Sequence, residues 1–172
     1  TTAQVALGLT TAQVAALETR DLAALNTKQI AALSTAQVQL GLTTDQLVAL
    51  TTGQVQSLTT DQISLGLTTA QLAAMETRDI AALTTKQIAA LTTAQIQLGL
   101  TTDQLVALTT GQVQSLTTDQ ISLGLTTAQL AAIETRDIAA LTTKQIAALT
   151  TAQIQQGLTT NQLVALTTAQ VQ

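Results

Sequence analysis

The chain has 172 residues and a formal net charge of −4, and it contains no aromatic residue, proline, cysteine or histidine. This length can bury a sizeable core, and the abundance of Leu, Ile, Val and Ala argues against disorder. The acidic balance argues against nucleic acid as a partner, and the lack of His and Cys excludes the common general bases, thiol nucleophiles and most zinc sites. The longest apolar run, residues 5–9, is too short to span a membrane.

From Thr1 onward a unit of the form L-T-T-x-Q-φ-x-x, where φ is Val, Ile or Leu, occurs 21 times. It does not fit one long helix, because eight residues at roughly 100° each leave about 80° of drift per unit and the apolar stripe would wind around the helix. It does not fit a β-solenoid either. Strict alternation from Leu83 mixes polar and apolar side chains on both faces, and Ala and Gln suit helices better than strands.

The unit fits a short helix that carries its own start signal. In L-T-T-K-Q-I, residues 83–88, Thr84 is the N-cap and Gln87 at N3 completes a capping box. Leu83 can pack on Ile88 as a hydrophobic staple. A helix of about six residues, near 9 Å long, is unstable alone, so the array predicts a solenoid stabilised by packing between turns.

The Thr-Thr pairs have two interpretations. They could form a regular hydroxyl array for ice or for O-linked sugars, or the first Thr of each pair could cap a helix. Asn26 and Ser34 replace that first Thr in two units, and both residues are good N-caps. The replacements favour helix caps.

The sequence E-T-R-D at Glu18–Asp21 recurs at residues 76–79 and 134–137. It could be a carboxylate pair for a metal ion or for acid–base chemistry. Because Glu18 occupies the cap position and Asp21 the N3 position, we interpret it as a charged capping box with a local salt bridge to Arg20. We predict no metal site, no cofactor and no enzymatic activity.

Some units have a ninth residue. Glycine follows Leu, or Gln156 in the last copy, at Gly8, Gly41, Gly66, Gly99, Gly124 and Gly157. Glycine at a helix C′ position followed by an apolar residue predicts a Schellman-type stop. The spacings of 33, 25, 33, 25 and 33 residues correspond to four and three units in alternation. About 3.5 helices per turn would therefore place these units on one side of the solenoid.

A longer period supports this geometry. Residues 42–99 match residues 100–157 at all but two positions, which gives seven units and 58 residues per two turns. With 3.5 helices per turn, Arg78 lies near Asp45 and Asp103, whereas seven helices per turn would stack like charges. We predict an all-α solenoid of about 21 very short capped helices, with small residues at close approaches.

The phrase L-T-T-A-Q-V-A-A-L and its variants resemble low-complexity tandem arrays in long repetitive proteins of bacteria. The resemblance covers the whole chain and implies repeat architecture, with a secreted or surface location. A weaker similarity to TAL-effector repeats rests on the helix opening L-T-P-x-Q-V-V-A. The 34-residue period, the base-reading loop and the basic groove of those repeats are missing here, so we reject DNA binding.

We interpret residues 1–172 as a single continuous array and, because it begins in mid-repeat, as a fragment of a longer one. The first functional hypothesis is a structural rod, spacer or fibre-forming segment that associates with itself, end to end or laterally. The alternative is a non-catalytic binding module that uses one face for a peptide, a glycan or ice.

The leucines before the glycines define a candidate lateral contact: Leu7, Leu40, Leu65, Leu98 and Leu123. Units of eight residues hold Ala or Ser at the matching position. These leucines either fill the space where the longer unit bulges or form an exposed apolar stripe along one side of the rod.

Overall fold

A computed structural model describes residues 1–171, apart from the side chains of Ala6 and Leu7. Within these residues the fold is all helical, with 21 short helices and no strand, which confirms the predicted fold class. The sixteen α-helices are α1 (Thr2–Gly8), α2 (Thr11–Ala15), α3 (Thr19–Ala23), α4 (Thr27–Ala31), α5 (Thr44–Val48), α6 (Thr52–Ser57), α7 (Thr69–Ala74), α8 (Thr77–Ala82), α9 (Thr85–Ala90), α10 (Thr102–Val106), α11 (Thr110–Gln114), α12 (Thr127–Ala132), α13 (Thr135–Ala139), α14 (Thr143–Ala147), α15 (Thr160–Val164) and α16 (Thr168–Val171). The five π-helices are π1 (Gln37–Gly41), π2 (Gln62–Gly66), π3 (Gln95–Gly99), π4 (Gln120–Gly124) and π5 (Gln153–Gly157).

The predicted capping boxes are present in most units. Before α9, the Gln87 backbone N–H donates to Thr84 Oγ1 at 3.2 Å, and the Thr84 backbone N–H donates to Gln87 Oε1 at 2.8 Å. Asn26 forms the same reciprocal pair with Gln29, and Ser34 forms it with Gln37. These bonds satisfy backbone donors that a helix of five or six residues would otherwise leave unpaired. The first Thr of each pair is therefore a cap, as predicted.

The core of every turn is built from the two apolar positions that the staple pattern selects. Ile88 at N4 is fully buried and Leu91, which precedes the next cap, is 3% exposed. The equivalent side chains from Val14 to Leu158 join them in one continuous cluster along the axis. Fully burying such a side chain is worth about 1.5–3 kcal/mol. Packing between turns thus supplies what the short helices lack.

Two kinds of contact define the rise of the solenoid. Each helix packs on the helix three units earlier, as α7 does on α5 and π2 does on π1. Each helix also receives side-chain hydrogen bonds that reach four units back, such as those from Gln62 Nε2 to the Ile30 and Leu33 carbonyls at 2.9 and 2.7 Å. Contacts at three and four units together fit about 3.5 helices per turn.

The second contact repeats along the axis as a glutamine ladder. The ladder comprises the N3 glutamines whose Nε2 donates to carbonyls of the preceding turn: Gln37, Gln46, Gln54, Gln62, Gln71, Gln87, Gln95, Gln104, Gln112, Gln120, Gln129, Gln145, Gln153, Gln162 and Gln170. The same amide closes the capping box through Oε1, so one side chain both starts a helix and joins two turns. A buried amide needs such partners.

The prediction of a Schellman stop at the glycines was wrong. No glycine has a positive φ among the described residues. The ninth residue is instead absorbed into a π-helix, in which the Leu42 N–H donates to the Gln37 carbonyl at 3.0 Å. A π-helix accommodates one inserted residue without breaking the helix, so Leu42 stays buried. Gly8 is the exception, since it lies in α1.

Close packing explains why the inserted unit carries glycine. A Cβ on Gly41 would lie 3.1 Å from Val14 Cβ, and a Cβ on Gly124 would lie 3.1 Å from Ile96 Cβ. Both distances are shorter than ordinary van der Waals contact. The missing side chain therefore lets each π-helix approach the helix three units earlier.

Candidate functional site

The leucines before the glycines point outward. Leu40, Leu65, Leu98 and Leu123, here called the leucine row, are 65–71% exposed. They do not fill space inside the longer units, which leaves the exposed stripe of the two predicted alternatives. The side chain of Leu7 lies outside the described part of the chain. Gln156, at the same position of π5, is also exposed.

The π-helices produce this orientation. In π1 the buried residues are Gln37, Val38 and Gly41, so the inner face is complete without Leu40. Because Gly41 must face the neighbouring helix, the residue directly before it is directed toward solvent. The same arrangement recurs in π2, where Gly66 is buried and Leu65 is exposed.

The π-helices also follow one another along the solenoid. π1 packs directly on π2, and π3 packs directly on π4. π2 and π3 are joined through the ladder, because Gln95 Nε2 donates to the Ile63 and Leu67 carbonyls at 2.7 and 2.6 Å. The predicted placement of the nine-residue units on one side is therefore confirmed, and the leucine row follows that side.

The E-T-R-D clusters form local ion pairs but no capping box. Arg78 Nε lies 2.7 Å from a Glu76 carboxylate oxygen and 3.6 Å from Asp79 Oδ1. Glu76 makes no side-chain cap bond, nor do its counterparts in the other two clusters. The salt bridge was predicted correctly and the charged box was not. Glu is a poorer N-cap than Thr, and its longer side chain reaches the guanidinium instead.

Asp79 is the unusual member of its cluster. It is 1% exposed, and neither carboxylate oxygen has a hydrogen-bond partner. Burial raises its pKa above the ordinary value, against the neighbouring Arg78 charge, which lowers it. Its counterpart Asp137 is also buried, but it accepts a hydrogen bond from Thr110 Oγ1 at 2.5 Å. Asp21, in the first turn, is exposed.

Asp79 interrupts the glutamine ladder. The offsets of 29 and 32 residues that join Gln62 to Leu33 and Ile30 place the Leu50 and Leu47 carbonyls opposite Asp79. An ionised carboxylate cannot donate to them. Sequence reasoning missed this, although Asp at a position that is otherwise Gln was the available signal.

An open cleft of about 450 Å³ lies beside this cluster and is lined by Met75, Glu76, Arg78 and Asp103, among others. Arg78 and Asp103 are thus neighbours, as the predicted register requires. Arg78 nevertheless pairs within its own unit, and among the described residues no ion pair joins two turns. In the same residues, no three acidic side chains come close enough together to hold a metal ion.

The arrangement offers contact surface rather than reactive groups. No helix in the described range has the length and hydropathy needed to cross a membrane.

Comparison with known families rests on the repeat itself. The profile of the ALTTAQ repeat matches residues 14–52, 41–77, 72–110 and 130–168, which together make up most of the chain. The chain belongs to the ALTTAQ repeat family. The predicted resemblance to tandem-repeat proteins is confirmed at this level for the ALTTAQ chain. No curated protein matches it.

Proposed function

We propose that this ALTTAQ repeat chain is a structural element, a rod or spacer whose length is set by the number of its turns. The glutamine ladder carries the proposal, because it joins each turn to the preceding one through the same buried bonds. Gln120 Nε2, for example, donates to the Ile88 and Leu91 carbonyls at 2.9 and 2.6 Å. Adding turns lengthens such a molecule without changing its cross-section.

The ladder also suits a load-bearing role. A hydrogen bond contributes about 0.5–1.5 kcal/mol net, and leaving a buried partner unpaired costs about 1–3 kcal/mol. Separating two turns would break several ladder bonds together and expose core residues such as Leu91 and Leu116, each 3% exposed. The contacts between turns therefore support stiffness along the axis.

The leucine row is the proposed lateral contact between two copies of the rod. Monomeric proteins rarely expose large apolar patches. Complete burial of a leucine is worth about 1.5–3 kcal/mol, but association costs about 4–15 kcal/mol. Four leucines per rod give weak pairing, and longer arrays would strengthen it by multivalency.

Small-angle X-ray scattering tests the rod. We expect an elongated particle about 60 Å long, given about six turns at roughly 10 Å each. A spherical scattering profile for the monomer would contradict the proposal.

Changing Leu40, Leu65, Leu98 and Leu123 to Gln together tests the lateral contact. We expect the helical circular dichroism to survive and the concentration-dependent increase in cross-section to disappear. Val106→Gln with Val164→Gln is the matched control, since both valines are exposed but lie off the π-helices. Equal loss of association in the control, or no lateral association of the unaltered chain, rejects this contact.

A further inference from the structure

The two ends of the solenoid have unequal surfaces. Inside the rod, the glycine of one π-helix packs on the N4 side chain three units earlier, as Gly66 does on Val38 and Gly124 does on Ile96. Val38 and Ile96 are fully buried. Ile154, at the same position of π5, is 44% exposed because no later unit covers it.

The first turn carries the missing half of this pair. Gly8 belongs to the same kind of unit, yet the only atom near a Cβ built there is Gln4 Cβ at 4.0 Å. A bare glycine at one end and an exposed isoleucine at the other reproduce the halves of the Gly124–Ile96 contact.

Hydrogen-bonding groups match in the same way. Gln4 and Gln13 are exposed, and both hold their own caps through Oε1. No earlier turn supplies carbonyls to their Nε2 atoms. At the other end, the Ile146 and Ile154 carbonyls occupy the positions that accept ladder bonds elsewhere, and no later glutamine reaches them.

An apolar groove of about 410 Å³ completes the C-terminal face. It is lined by Ile146, Leu149, Ile154, Leu158, Leu163 and Leu166, among others. Leu163 is 43% exposed, whereas the equivalent Leu105 inside the rod is 1% exposed. The groove has the composition of a core position that lacks its next turn.

We propose that the C-terminal face binds the first turn of a second copy of this chain, with Gly8 of one copy seated on Ile154 of the other. In this register the unit at Thr1 follows the unit at Thr167. The nine-residue units then keep their alternation of three and four, since Gly8 comes three units after π5. Gln4 would donate to the Ile146 and Leu149 carbonyls, as Gln120 does to Ile88 and Leu91.

This junction rests on the proposed role as a rod, but it uses none of the leucine row. It gives head-to-tail association, which lengthens the particle at constant cross-section. Lateral pairing gives a thicker particle, so scattering separates the two.

Cysteine trapping tests the junction, because the chain has no cysteine of its own. Chains with Gly8→Cys are mixed with chains with Ile154→Cys in a thiol–disulfide buffer. Inside the rod the corresponding Cβ atoms are about 3.1 Å apart, close to the separation of a disulfide. We expect a mixed disulfide to form faster than between Ile154→Cys and Gly111→Cys, where the introduced Cβ also has open space. An equal rate for the two mixtures overturns the junction.

A blocking variant provides the second measurement. Gly8→Leu has room in the free chain, so helicity should be unchanged, but the side chain would collide with Ile154 in the junction. We expect loss of end-to-end growth at high concentration, with no such loss for Gly111→Leu. Growth that persists in Gly8→Leu overturns the junction, while an elongated monomer in the same experiment would still support the rod.

Discussion

At the scale of single residues, Asp79 is where this chain departs most from its own pattern. Its carboxylate occupies a buried position at which the repeat otherwise places an amide donor. The Leu47 and Leu50 carbonyls opposite it therefore lose the hydrogen bonds that the ladder supplies elsewhere. The chain tolerates the substitution because only two turns, those at Asp79 and Asp137, carry it at a buried position.

Asp79→Gln should stabilise the fold by about 1–3 kcal/mol at neutral pH, the cost of leaving a buried polar group unpaired. Because the folded state raises the pKa of Asp79, the native contribution of this group is fully present below its unfolded pKa and is lost as pH rises through the folded pKa. The advantage of the variant should therefore shrink as the pH falls toward about 3.8. Urea denaturation at several pH values measures it.

The control for this prediction is Asp21→Gln, at the same position of the first turn, where no preceding carbonyl exists and the side chain is exposed. We expect a change within about 0.5 kcal/mol. An equal gain in both variants would show that the ladder is not the cause.

At the scale of the elements, glycine has opposite roles in the two helix types. Gly111 in α11 would carry a Cβ with no atom within 4 Å, so nothing in its surroundings requires glycine. Gly124 in π4 would carry a Cβ 3.1 Å from Ile96 Cβ. The first glycine only costs backbone entropy, and the second permits contact between turns.

Gly111→Ala should therefore stabilise the protein by about 0.5–1 kcal/mol, because alanine is the better helix former. Gly124→Ala should destabilise it by about 1–3 kcal/mol through overpacking. Thermal unfolding followed by circular dichroism compares the pair. Stabilisation by Gly124→Ala would show that the π-helix has room that the structure does not give it.

At the scale of the whole molecule, stability should add turn by turn, since each helix contacts only units three and four positions away. Removing residues 100–157 joins Gly99 to Leu158 and deletes one full period of two turns. The product should fold and be shorter by about 20 Å, at roughly 10 Å per turn. Small-angle scattering and circular dichroism measure length and helicity.

Removing only residues 109–116 is the matched control, because it deletes one unit and breaks the alternation of three and four. Gly124 would then lie off the line of the other π-helices. We expect a larger loss of stability than from the longer deletion, measured as the free energy of unfolding. A smaller loss would show that the alternation does not govern packing.

The sequence by itself determined the elements and their spacing. Caps such as Thr84 and core positions such as Ile88 and Leu91 were predictable, because a cap and a staple depend on residues within about five positions along the chain. The 3.5 helices per turn followed from the glycine spacing, since any other number would scatter those units around the axis.

Only the tertiary structure decided the rest. The π-helices, the outward leucine row, the second bond of each ladder glutamine and the isolation of Asp79 all depend on a neighbour about 30 residues away, such as the Ile63 carbonyl that receives Gln95. Local hydrogen bonding allows glycine either to end a helix or to lie within one. The close approach of Val14 to Gly41 selects the second outcome, because the buried side chains leave no space for a Cβ.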